Sequence, residues 1–96
     1  MTKAWKAMEK ETAKRLGGKR VGITGLETPD VVTDWCVAEC KERERLPKWV
    51  VDAMNSICAK AGDKLPILIL HQLHSHRDND LVVMKMKDWE EWHGRK

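Results

Sequence analysis

The chain has 96 residues, 42% hydrophobic and 34% charged, with a formal net charge of +3. That length makes a single domain, residues 1–96, with a modest core, and that balance excludes a disordered polymer. The longest apolar run, around Leu65 to Leu70, is too short to span a bilayer. No apolar stretch separates the charges of MTKAWKAMEK, so no secretory signal and no membrane partner are expected, and the protein is placed in the cytoplasm. Cys36, Cys40 and Cys58 fit that compartment as reduced thiols.

In chain order, Ala4 to Leu16 reads as a helix. Trp5, Met8, Thr12 and Leu16 form one stripe, and Lys3, Lys6, Lys10 and Lys14 share the opposite face. Gly17-Gly18 stops it. Lys19 to Thr24 is a first strand closed by Gly25. Val31–Thr33 and Trp35–Lys41 are two short strands joined near Asp34, hence antiparallel neighbours. Pro47 opens a second helix, Lys48 to Ala61, with Trp49, Val50, Ala53, Met54 and Ile57 inward and Gly62 at its end. PILILHQ suits a central strand covered on both faces. LHSHRDND is a polar loop, LVVMKMK a last strand and DWEEW a short closing helix. The order α-β-β-β-α-β-β-α predicts an α/β fold with a mixed β-sheet flanked by helices.

Charge is unevenly placed. Residues 1–20 carry seven Lys or Arg against two Glu, and KERERLPK adds four basic groups. Such clusters attract phosphate without reading sequence, although a solvated helix face has the same composition.

The stretch TPDVVTDWCVAECK holds the chemistry. In an extended strand Glu39 and Lys41 leave the same face, and a hairpin through Asp34 brings Asp30 alongside. Two carboxylates and an ammonium then converge. A hard divalent cation such as Mg²⁺ takes one or two carboxylates, a backbone carbonyl, for which Cys40 is placed, and water or phosphate. The alternative is a cross-strand salt bridge on a solvated sheet face.

Pro29-Asp30, eight intervening residues and Glu39-Cys40-Lys41 resemble the PD-(D/E)XK nuclease superfamily. MEKETAKRLGG, VAECK and RERLPKW are similar to short phage-type and Holliday-junction-resolvase-like members. The resemblance covers almost the whole chain. It implies a restriction-endonuclease-like core and Mg²⁺-dependent cleavage of DNA, with Mn²⁺ as a substitute. On matching positions Asp30 and Glu39 would bind metal and Lys41 would be the catalytic lysine. Many members add a carboxylate from the first helix, for which Glu9 and Glu11 compete. Glu9 lies about 35° from the apolar stripe and Glu11 about 125°, so Glu9 is preferred. Its alternative is a boundary carboxylate paired with Lys6 or Arg20. Asp34 is read as a turn residue.

Arg20, Arg43, Arg45, Lys48, His74, His76 and Arg77 are the expected DNA contacts, with His71 and Gln72 at the active-site rim. A zinc site on Cys36 and Cys40 is disfavoured, because four strand residues separate them by about 13 Å. Trp5 and Trp49 are expected in the core, while Trp89 and Trp92 either cap it or build a subunit interface. A symmetric homodimer would supply the second basic face that so small a nuclease needs to grip a duplex.

Overall fold

Two glycines end the first helix for two different physical reasons. The computed structural model describes residues 4–21 and 28–93, with side chains from Lys6 onward. In it α1 (Ala4–Leu16) stops at Gly17, whose φ of 74° is one that L side chains disfavour. The Gly17 N–H donates to the Lys14 carbonyl at 3.3 Å and the Gly18 N–H to the Ala13 carbonyl at 2.9 Å. Those are the two bonds of a Schellman cap. At Gly18 the constraint is space: a β-carbon would lie 2.3 Å from the Val32 carbonyl oxygen and 2.4 Å from Thr33 Cγ2. The chain passes directly from helix to strand through that gap.

The next three strands, β1 (Lys19–Arg20), β2 (Val31–Val32) and β3 (Val37–Ala38), form an antiparallel sheet in chain order. Arg20 is opposite Val31, and Val31 is opposite Ala38. The Val21 N–H reaches the Asp30 carbonyl at 2.9 Å, extending the ladder by a step. The rest of the expected Lys19–Thr24 strand, with Gly25, lies outside the described residues. Thr33 builds the β2–β3 turn. Its N–H donates to the Cys36 carbonyl at 2.9 Å, and its Oγ1 accepts from the N–H groups of Trp35 at 3.1 Å and Cys36 at 2.9 Å. Asp34 sits exposed in that turn, as a turn residue.

Helix α1 packs on β1 and β2, and Val31 beneath it is 0% exposed. The buried stripe is Glu9, Ala13 and Leu16, spaced four and three as one helix face requires. It is rotated from the expected Trp5–Met8–Thr12–Leu16 stripe; Met8 and Thr12 are half-buried at its edge. The Trp5 side chain lies outside the described residues.

Tertiary contacts divide the chain into a first unit ending at Glu44 and a second starting at Arg45. In the second, α2 (Lys48–Lys60) follows Pro47, which pre-sets φ and donates no hydrogen bond. Met54 is buried, with Val50, Ala53 and Ile57 half-buried beside it. Trp49, expected in the core, is instead 61% exposed. Five residues from Met54 place it about 140° around the helix, too far to share its face.

Strands β4 (Leu68–Leu70) and β5 (Leu81–Val83) pair antiparallel, with Leu70 opposite Leu81, and α2 packs on β4. A one-turn 3₁₀ segment, Arg77–Asn79, lies between them, and α3 (Met86–His93) follows. The expected order of helices and strands holds, but their arrangement into a single mixed sheet does not. The described strands form two small antiparallel sheets. PILILHQ is also not a covered central strand, since Ile69 is 50% exposed. An unbroken apolar run specifies burial of some side chains, not the number of strands beside it. The fold is mixed α/β, and no described helix is long and apolar enough to cross a membrane.

Candidate functional site

Extending the register of Val31 with Ala38 by one residue sets Asp30 opposite Glu39 at the open end of the hairpin. Strand alternation puts both on the side away from Val31, the side that carries the exposed Val32 and Val37. Asp30 is held by the backbone of the facing segment: its Oδ2 accepts the Cys40 N–H at 2.7 Å. A short bond from an N–H to a carboxylate is charge-assisted and directional, so it fixes the carboxylate plane. Lys41 Nζ lies 3.6 Å from Glu39 Oε2, and both side chains are exposed. An exposed pair of this kind is worth about 0–1 kcal/mol, so Lys41 is easily drawn from Glu39 to a stronger anion.

Glu9 is placed differently. It is 7% exposed, on the face of α1 that meets the sheet, and its Oε1 accepts from Arg20 Nε at 2.9 Å. Arg20 lies opposite Val31 in the ladder, on the helix-facing side. Glu9 and Arg20 are thus a covered ion pair under the helix, whereas Glu39 and Lys41 are paired and exposed and Asp30 is held by the Cys40 N–H. Glu11, the competitor, is exposed. Arg20, expected to contact DNA, is turned into the protein, because a buried carboxylate requires a compensating donor.

The remaining expected phosphate contacts fall in both units. In the first, exposed Arg43 donates from Nη1 to the Glu42 carbonyl at 2.9 Å. In the second, Lys48 pairs with Asp52 at 2.7 Å along α2, and Arg45 is exposed. His76 caps the 3₁₀ segment, its Nδ1 accepting the Asp78 N–H at 3.1 Å, and Arg77 Nη1 is 3.9 Å from Asp80 Oδ2. His74, at φ 69°, makes the tightest bend of that loop. His71 and Gln72 also belong to the second unit.

Asp80, which the sequence reading passed over, is the partner of His71: Nδ1 and Oδ1 are 2.5 Å apart. A signal for it existed. Once the two apolar runs are paired as a hairpin, LH at the end of one and DL at the start of the other face each other.

Oxygen donors are the kind that a hard divalent cation takes. Among the described residues no group of three or more His, Cys, Asp or Glu could hold a metal ion, so a closed protein cage is excluded there. Two carboxylates at an open strand end still fit Mg²⁺, which keeps several waters and completes its shell with substrate phosphate. Comparison with known proteins adds nothing to this geometry: no family model, curated protein or solved structure matches the chain significantly.

Proposed function

We propose that the chain is a Mg²⁺-dependent endodeoxyribonuclease of the PD-(D/E)XK type, built on a restriction-endonuclease-like core and acting in the cytoplasm as a homodimer. One feature supports the reading: the Val31–Ala38 register, continued by one residue, would bring Asp30 opposite Glu39, and Lys41 lies 3.6 Å from Glu39. Asp30 and Glu39 would hold the ion, with the Cys40 carbonyl as a further oxygen. Mg²⁺ bound there supplies Lewis-acid polarisation of a phosphodiester. Asp30 stays oriented by the Cys40 N–H, so its free oxygen is presented in a fixed direction. Lys41 leaves Glu39 to donate to a phosphate oxygen and offsets negative charge gathered during attack. Glu9 serves as a positioning residue, locking β1 to α1 through Arg20.

Branched DNA is the preferred substrate class, by analogy with the family the sequence resembles. Mn²⁺ substitutes for Mg²⁺ because it accepts the same oxygen donors. The purified chain should cut branched DNA with Mg²⁺ or Mn²⁺ and leave it intact in EDTA, with slower cutting of linear and single-stranded DNA. No product from any of these substrates at any metal concentration rules the nuclease out.

A second reading rests on a specific observation: in this structure Asp30, Glu39 and Glu9 each already have a partner within the chain. The same fold would then bind nucleic acid without cutting it. That version retains DNA with a steep salt dependence and yields no product with metal present.

A further inference from the structure

A pocket of about 390 Å³ opens at the loop end of the β4–β5 hairpin, walled by Leu70, His71, Gln72, Ser75, Asn79 and Leu81. Its polar side is set by the ladder. Leu70 opposite Leu81 brings the next residues, His71 and Asp80, together, and Asp80 Oδ1 sits on His71 Nδ1. In the neutral ring this partner keeps the proton on Nδ1, so Nε2 offers a lone pair. Asn79 Nδ2 donates to Ser75 Oγ at 3.3 Å, which leaves Asn79 Oδ1 as an acceptor and the Ser75 hydroxyl as a donor. The Gln72 side chain is exposed and makes no hydrogen bond to another described residue. It contributes both a donor and an acceptor.

The electrostatics narrow the ligand. Asp80 is the carboxylate beside the pocket, with Arg77 Nη1 3.9 Å from its Oδ2, and neither residue lines the opening. No lysine or arginine is among the lining residues, so a free phosphate has little reason to settle there. The lining instead combines two leucines, an imidazole face and neighbouring amides that both donate and accept. That combination matches a flat, neutral ring with a polar edge. We propose that this pocket binds a single unstacked nucleobase. The Gln72 and Asn79 amides meet its hydrogen-bonding edge, as such amides do with bases elsewhere, while the leucines and the His71 ring meet its plane. The site lies wholly in the second unit and uses none of Asp30, Glu39 or Lys41, so it stands or falls apart from the cleavage reading.

The test is a titration of the ¹⁵N-labelled full chain in EDTA with adenosine, cytidine, guanosine or thymidine. Ribose 5-phosphate and inorganic phosphate serve as further arms. Saturable amide shifts confined to residues 70–72, 75 and 79–81 with at least one nucleoside are expected, and none with the two phosphates. Gln72→Ala and Asn79→Ala, both at exposed positions, should keep the spectrum dispersed and weaken binding by about two- to tenfold each. His71→Ala should weaken it as well. Three results would overturn the proposal: no saturable shift with any nucleoside, equal shifts with ribose 5-phosphate, or wild-type affinity in both amide variants.

Discussion

The two units set their shielded ion pairs in different surroundings. In the first, one ion pair, Glu9 with Arg20, is covered by α1, while another, Glu39 with Lys41, lies on the open face of the sheet. In the second, the half-buried His71–Asp80 pair borders an open pocket, and most of the large apolar side chains remain at the surface. Similar ionic partners therefore do different work. A covered pair costs desolvation and is retained only where the partner is fixed; an exposed pair is cheap to separate and free to change partners. Under the proposed function, that contrast leaves Glu9 to the fold and makes Asp30, Glu39 and Lys41 the groups to test for chemistry.

The largest effect expected falls on activity. Asp30→Ala or Glu39→Ala should lower DNA cleavage below detection while circular dichroism and DNA retention stay close to wild type. If both variants cut normally with Mg²⁺, the open face is not the site. The largest effect on stability belongs to the covered pair: Glu9→Ala, which removes the 2.9 Å ionic partner of Arg20 under α1, should cost about 3 kcal/mol in urea unfolding. A Glu9→Ala protein of wild-type stability that has lost only cleavage would reverse the assignment and make Glu9 part of the site.

Gly18→Ala should follow at about 1–3 kcal/mol, since its β-carbon meets backbone atoms that have no room to shift. Gly17→Ala should cost about 1 kcal/mol, from its positive φ alone. Thermal unfolding of the two variants separates the contributions. Smallest of all is Trp49→Ala, expected within about 0.5 kcal/mol because the ring is largely exposed. A loss comparable to that of a core tryptophan would mean that something covers this face in solution.

Helix ends were legible in the sequence because single residues enforce them: Gly17 by its left-handed φ, Pro47 by its fixed φ and missing donor. The turn between β2 and β3 was legible near Asp34, although its hydrogen bonds come from Thr33. Which face of α1 points inward was harder to read. Trp5 and Met8 pulled the apparent stripe toward themselves, whereas burial centres on Glu9 and Ala13, where a small side chain permits close approach and Arg20 satisfies the acid. Arg20 read both as a phosphate contact and as an alternative partner of Glu9, because sequence alone does not say which anion claims a basic residue; the structure pairs it with Glu9. Sheet organisation was hidden more deeply. PILILHQ is as compatible with a two-stranded hairpin as with a central strand, and the missed hairpin concealed the meeting of His71 with Asp80 across its loop.

The assignment of the open face is tested most directly by Mn²⁺ added in small steps to the ¹⁵N-labelled chain. Paramagnetic broadening should begin at the amides of residue 30 and residues 38–41, spare residues 6–10 of α1, and vanish in the double variant D30N/E39Q. Broadening that first appears around Glu9, or that is unchanged in the double variant, would contradict it.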